Sequence, residues 1–457
     1  MEARTYLALD LGASSGRGLL GRVLPDGGIE LQELHRFTNG PVPTDKGVYW
    51  DIDALFDNML QAMRRAADMG IVPRAIGVDT WGVDFALLGK DGKLLDRPRC
   101  YRDPRNAGLS RRISQRLGAQ RLQARTGSML QDHASLCQLV AVQQHTPELL
   151  ERTDRLVFIC DLLRYWLCGD ASTDCTFAST SQMYDVPQRE WATDILRELN
   201  LPEAILPQVH IGPRVAGRLS PDVQRKTHLP DVPVVAGAGH DTGAAFGICR
   251  GGGLPPAEDL AIVSTGTWAI LGAMLNGRLA PGAFDPARFG YEANPDGSLR
   301  LIRNMIGGWF IEQCRREWEA QGVKYTYDVL IAAAQSAAGS RGASAVLDIG
   351  WEGFMNPESM TRAIGEHCRI TGQPEPRNFG ETTQVIFASL AKAYADGVAE
   401  LRRITGWPLR NLYVIGGMAR NTYLNSLIEQ TGGPRVIVGP SEATAQGNVA
   451  VQVAAVP

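Results

Sequence analysis

Residues 234–248, VVAGAGHDTGAAFGI, set a histidine, a carboxylate and a hydroxyl in succession, His240, Asp241 and Thr242, among residues too small to solvate or pair them. A carboxylate so placed can take the proton of a hydroxyl that attacks a phosphoryl group, while His240 and Thr242 hydrogen-bond neighbouring hydroxyls. It can equally cap a helix begun by the GAAFG that follows. The residues alone leave both readings open. A second set of motifs suits anions. In DLGASSGR (10–17) an acidic residue at a strand end leads into a turn of small residues whose N–H groups can cradle a phosphate, and Arg17 adds a fixed positive charge. Asp10 can hold Mg²⁺ through water, because that ion takes few carboxylates and keeps its hydration. STGTW (264–268) repeats this layout with hydroxyls and amides. VIGGMARN (414–421) sets Gly416 and Gly417 between a strand and a helix, where bare backbone admits a flat ligand such as an adenine. Each of these is also an ordinary turn when taken singly. None is a Walker loop or a GxGxxG fingerprint.

The elements that must hold these residues follow from hydropathy and turn signals. YLALDLGASSGRGLLGRV and LAIVSTGTWAILGAML (260–275) each read as a strand, a tight Gly/Ser/Thr turn and a returning strand, which suggests an internal duplication. AIGVDTWGVDFALL (75–88) reads as strand, polar loop and strand, preceded by the helical spacing of DNMLQAMRRAADMG, which ends at Gly70. PELLERTDRLVFICDLLRYWLCGD (147–170) is expected to form one helical unit, and 381–406 a long amphipathic helix. NLYVIGGMARNTYLNSLIEQ (411–430) reads as strand, glycine turn and helix, and a small-residue helix closes the chain. Strands with interposed helices mark an α/β architecture. The breaker cluster in FGICRGGGLPPAEDL (246–260) places a boundary between domains 1–248 and 249–457.

Bulk properties narrow the partners. At 457 residues the chain exceeds what one hydrophobic core supports. The 46 basic and 49 acidic side chains leave a net charge of −3, so no nucleic-acid or membrane-seeking surface is expected and the partners are small molecules. Eight scattered cysteines show no CxxC pair or zinc-like spacing and are read as reduced thiols. With no signal-peptide pattern and no run long enough to span a bilayer, a cytoplasmic protein is expected. Monomer and homodimer both stay open.

In chain order, DLGASSGR, HRFTNG (35–40), IGVDTWGVDFALL, CYRDPR (100–105), GHDT, STGTW, NMIGGWF (304–310), GFMNPESM (353–360) and VIGGMARNTYLN resemble the FGGY family of carbohydrate kinases, most closely its members that act on L-rhamnulose. The resemblance spans essentially the whole chain. It implies two actin-like, ribonuclease-H-like domains with a central cleft, the N-terminal one binding sugar and the phosphate loop, the C-terminal one binding nucleotide. It also implies Mg²⁺-dependent transfer of the γ-phosphoryl group of ATP to the 1-hydroxyl of L-rhamnulose. Another ketose such as L-fuculose or L-xylulose, or a catalytically weak sugar- or nucleotide-binding regulator, stands as the alternative. By position, Asp241 matches the family's catalytic base. Gly82, His240, Asp241, Thr242 and Asn304 match sugar contacts. Ala13, Ser14, Ser15, Gly16, Arg17, Thr267, Glu312 and Gly417 match positions around ATP, and Asp10 matches the acidic residue associated with magnesium. Three departures stand out. Glu312 replaces a glutamine near the nucleotide, where a carboxylate is repelled by phosphates unless Mg²⁺ or Arg17 compensates. Met418 replaces the third glycine of a Gly-Gly-Gly turn, and a final helical segment shorter than the family's is expected before Pro457.

Overall fold

Alternation along the first strand explains how its surroundings are built. In the computed structural model, which describes residues 4–250, 253–280 and 282–457, β1 (Arg4–Leu11) is buried on both faces from Tyr6 onward. Successive side chains point to opposite faces. Leu7, Leu9 and Leu11 therefore join a core with Leu55, Met59 and Met63 of the helix Ile52–Asp68. Tyr6 and Ala8 pack instead with Ala445 and Val449 of the helix Ala443–Ala455. A strand covered on both faces reads as a continuous apolar run, as YLALDL does.

Two six-stranded sheets repeat one layout. In the first, β1 pairs antiparallel with β2 (Ser15–Val23), which pairs with β3 (Ile29–Thr38), while the other side of β1 runs parallel to β4 (Ile76–Thr80). With β5 (Arg214–Arg218) and β6 (Pro233–Ala236) the order is β5-β6-β4-β1-β2-β3. In the second, β7 (Leu260–Thr265) and β8 (Trp268–Leu275) form the hairpin. With β9 (Gly290–Ala293), β10 (Leu299–Ile306), β11 (Asn411–Gly416) and β12 (Arg435–Val438) the order is β9-β10-β8-β7-β11-β12, and β7 runs parallel to β11. Both sheets thus start from a hairpin whose first strand takes a parallel neighbour on its free side, as the internal duplication predicts.

The chain forms two compact units that interleave in sequence. The first comprises Met1–Gly251, Leu275–Leu301 and Ala443–Pro457, and the second Gly252–Met274 and Ile302–Glu442. Gly251 and Gly252 of the breaker cluster lie outside the described residues. The long amphipathic helix of the second unit, Phe379–Thr405, is a single element of 27 residues as its spacing predicts, with Val385, Phe387, Leu390, Tyr394, Val398 and Leu401 buried.

One expectation is corrected. Residues 147–170 are not one helical unit: helix Pro147–Arg152 is followed by the strand Arg155–Phe158 and then by helix Ile159–Cys168. Arg155–Phe158 pairs antiparallel with Phe85–Leu88, and Leu156, Val157 and Phe158 are fully buried. Tertiary pairing claims a segment whose own composition allows either state.

Candidate functional site

In the first unit, strand register sets a row of charge across three strands. Asp10 lies opposite Arg17 in the β1–β2 hairpin and opposite Asp79 in the parallel β1–β4 pair. Arg17 Nη2 donates to Asp10 Oδ2 at 2.6 Å. Asp79 is fully buried, and Asn448 Nδ2 donates to its Oδ2 at 2.5 Å while its Oδ1 has no partner. Burial, followed by the charge of Asp10, pushes the Asp79 carboxyl well above the usual range. The turn itself is pinned from its carbonyl side, since Asn39 N donates to Ser14 O at 3.1 Å and Asn39 Nδ2 to Gly12 O at 2.9 Å. Ala13 and Ser15 are part-buried, and Ser14 at the tip is exposed.

The GHDT loop is held by its backbone. Thr80 N donates to Gly239 O at 2.8 Å, continuing the direction of β4. On the other side Gly239 N donates to the buried carboxylate of Asp174 at 2.8 Å, and His240 N donates to Thr176 Oγ1 at 3.2 Å. Asp174 also accepts from Thr176 N at 2.9 Å and from the Thr176 hydroxyl. A Cβ on residue 239 would sit 2.7 Å from Asp174 Oδ2, so the close approach requires glycine. The small residues around HDT therefore serve a contact within the protein.

Asp241 opens the helix Asp241–Gly247, with His240 at the N-cap position. Its Oδ1 accepts from its neighbour Thr242, from N at 2.5 Å and Oγ1 at 3.1 Å, and lies 3.4 Å from His240 Nε2. Asp241 is thus the first helical residue rather than the N-cap, yet its carboxylate still accepts from the second helical N–H, that of Thr242, so it partly serves the helix start as a cap would. The side chain keeps 30% of its exposure. Burial among its neighbours raises the Asp241 pKa; the charge of His240 pulls it down, and that of Asp10 pushes it further up.

Gly82 sits beside this loop: a Cβ there would lie 3.1 Å from His240 Nε2. It begins a tight turn in which Asp84 N donates to Gly82 O at 3.0 Å and Val83 adopts φ +69°. Such a γ-turn is strained, and for a β-branched residue it persists only when its surroundings over-determine it. They do so here. Val83 N donates to Thr180 Oγ1, and Val83 O accepts from Ser135 Oγ and Gln138 Nε2. The buried Asp84 carboxylate accepts from Trp50 Nε1 at 2.5 Å, Trp81 Nε1 at 2.9 Å and Gln138 Nε2 at 2.9 Å. Burial pushes Asp84 up to about 6, against the opposing pull of those donors.

In the second unit three motifs meet at one turn. Gly308 N donates to Gly266 O at 2.8 Å, and Gly307 N and Trp309 N both donate to Thr267 O at 3.1 Å. Thr265 Oγ1 donates to Ile415 O at 2.6 Å and accepts from Met418 N at 3.1 Å. Gly416 has φ +86°, and a Cβ there would lie 2.6 Å from Thr265 O. Gly417 is exposed, with the nearest atom to a Cβ at 3.8 Å. The Met418 side chain is buried, so the third position of this turn faces inward. Asn304, on β10, has a buried Oδ1 with no partner. Glu312 lies in the first turn of the helix Trp309–Ala320, where its Oε1 accepts from Arg315 Nη1 at 3.1 Å and from the Tyr327 hydroxyl. The cation beside it is Arg315.

The first unit thus gathers Asp10, Ala13–Arg17, Gly82, His240, Asp241 and Thr242; the second gathers Thr267 and Gly417, with Asn304 and Glu312 on the elements flanking Gly307–Gly308. Sequence reasoning missed Asp79, Asp84, Asp174, Thr176 and Asn448. Asp79 and Asp84 lay inside the DTWGVDF stretch, and Asp174–Thr176 carried only the signal of a capping aspartate.

Comparison with known proteins divides the chain contiguously, and its second part takes in 275–301 and 443–456, which belong to the first unit here. Residues 5–247 match the FGGY family of carbohydrate kinases, N-terminal domain, and residues 261–456 the C-terminal domain of the same family. A rhamnulokinase of Bacteroides thetaiotaomicron is 36% identical over 451 residues, 98% of this chain and 90% of that protein. A rhamnulokinase of Oceanobacillus iheyensis is 31% identical over 452 residues, covering 98% and 93% respectively. Among solved structures, a xylulose kinase from Rhodospirillum rubrum shares the fold with a TM-score of 0.78 at 18% identity, over 98% of this chain and 89% of that one. Two matched domains, relatives along nearly the full length and a fold shared with an actin-like sugar kinase place the chain in the FGGY family of carbohydrate kinases.

Proposed function

We propose that this kinase transfers the γ-phosphoryl group of ATP to the 1-hydroxyl of L-rhamnulose, with Asp241 as general base. The observation that carries the reading is the state of the Asp241 carboxylate: Oδ1 is engaged by Thr242, Oδ2 has no partner among the described residues, and the side chain remains open to solvent. Oδ2 accepts the proton of the sugar hydroxyl as that oxygen bonds to phosphorus and ADP departs. The raised pKa makes Asp241 a stronger base than an ordinary carboxylate. The choice of sugar rests on the two rhamnulokinases that align along 98% of the chain.

In this reading Gly82, Thr242 and Asn304 hold the sugar with His240 packed beside it, the Asn304 oxygen, which has no partner among the described residues, accepting from a sugar hydroxyl. Ala13 to Arg17, Thr267 and Gly417 serve ATP, while the Glu312 carboxylate is taken up by Arg315 and Tyr327. The residues also fit Mg²⁺, which takes few carboxylates and keeps its water. Asp10 is one such carboxylate, and the unpartnered Asp79 Oδ1 lies on the neighbouring strand. When bound, the ion supplies positive charge to the phosphates. Among the described residues no three His, Cys, Asp or Glu side chains gather into a cage that would hold a metal alone.

Asp241→Asn tests the base. Turnover in a coupled ADP-release assay is expected to fall by about 10²- to 10⁴-fold, the usual contribution of a positioned base, with sugar binding retained by calorimetry. Wild-type turnover would remove Asp241 from the mechanism. The same assay over a ketose panel tests the sugar: an equal or stronger response to L-fuculose or L-xylulose than to L-rhamnulose would overturn that choice.

A further inference from the structure

The ring of His240 is gripped from behind by a buried ion pair. Glu292, on β9, and Arg300, on β10, both fall within the Leu275–Leu301 part of the first unit. Arg300 is fully buried and its Nη2 donates to Glu292 Oε2 at 2.5 Å. Its Nη1 donates to Ala293 O and Asn294 Oδ1, which fixes the guanidinium. Glu292 Oε2 and Arg300 Nη2 each lie 3.4 Å from His240 Nδ1, and His240 Nε2 lies 3.4 Å from Asp241 Oδ1.

The geometry points to Glu292, acting with Arg300, as the positioning residue for His240: the pair holds the imidazole so that Nε2–H is directed at Asp241 Oδ1, and Oδ2 is left for the sugar hydroxyl. A bare Nε2 lone pair facing a carboxylate would be repelled, so the proton belongs on Nε2. At Nδ1 the pair offers both an acceptor and a donor, since the carboxylate accepts from a protonated nitrogen and the guanidinium donates to an unprotonated one. The ring therefore keeps one orientation in either charge state. Glu292 itself stays ionised: its pKa is about 2, because the charges of Arg300 and His240 outweigh its burial.

The inference rests on Asp241 as the base, and its test separates the two. In ¹⁵N-histidine spectra of the wild-type protein, with His240 identified by its loss in His240→Gln, Nε2 is expected to carry a proton; a ring protonated on Nδ1 alone overturns the assignment. In Glu292→Gln, turnover with L-rhamnulose is expected to fall roughly ten- to a hundredfold, as when an orienting carboxylate behind a functional histidine is lost, with the KM for ATP within about twofold and altered His240 resonances. Unchanged turnover and spectrum would equally overturn it. If Glu292→Gln leaves Arg300 unpaired and fails to fold, the wild-type spectrum still decides. Wild-type turnover by Asp241→Asn would remove the base but leave the position of the Nε2 proton measurable.

Discussion

In the first unit the site loops are tied by buried carboxylates: Asp174 holds Gly239 and the Thr176 beside His240, and Asp84 gathers two indole N–H groups beneath Gly82. In the second unit the matching turn is tied by missing side chains, with Gly307 and Gly308 on its carbonyls and Gly416 against Thr265. The first unit's own hairpin turn is pinned by Asn39, so the hairpins are alike and their anchors are not. A carboxylate accepts several N–H groups in fixed directions, which suits the orientation of an acid–base residue. Near polyphosphate the same charge would repel, whereas backbone contact brings none.

The largest expected effect tests the glycine anchor. Gly416→Ala should destabilise the protein by about 2–6 kcal/mol, from backbone strain and overpacking of about 1–3 kcal/mol each, with a raised KM for ATP. Gly417→Ala, whose Cβ would make only an ordinary contact at 3.8 Å from Thr265 O, should stay within about 0.5 kcal/mol. Equal losses in thermal unfolding would break the contrast.

The carboxylate anchor has a pH signature. Burial pushes the Asp84 carboxyl up to about 6 from an ordinary 3.8, so the folded state keeps a proton that the unfolded chain has lost between those values. Its contribution is fully present below about pH 4 and is lost as pH rises through 6, with a slope of at most about 1.4 kcal/mol per unit. Denaturant unfolding from pH 4 to 6.5 should show Asp84→Asn gaining on wild type by about 2 kcal/mol across that window; parallel pH curves would mean Asp84 is an ordinary acid.

Thr176→Val should cost about 2 kcal/mol, from two net hydrogen bonds of about 1 kcal/mol each, to Asp174 and from His240 N, and lower kcat severalfold, while Thr176→Ser restores both. A valine variant with full turnover would show that His240 N needs no anchor. The smallest effect is expected at Glu312→Gln, whose pair with Arg315 is part-exposed. It should change stability by less than about 1 kcal/mol and the KM for ATP by less than about twofold. A large fall in that KM would mean the carboxylate faces the phosphates.

Both hairpins, the helix Phe379–Thr405 and the strand, turn and helix of 411–430 were legible because their signals are local: period, turn glycines and apolar runs. Arg155–Phe158 was not, because the apolar residues that make it a strand also suit the helix after it, and only pairing with Phe85–Leu88 decides. The motif residues were named from type and order, yet only the structure decided that the helix starts at Asp241 itself, with Oδ1 on the Thr242 N–H and Oδ2 left over.

The sequence by itself determined the two hairpins and the α/β class and named the residues proposed to carry chemistry, since each is written within a few tens of residues. Only the tertiary structure decided what holds them. Asp174 reaches Gly239 across 65 positions, Arg300 reaches His240 across 60, and Asn448 reaches Asp79 across 369. No local pattern records such pairs, because a buried carboxylate finds its donors by proximity in the folded core.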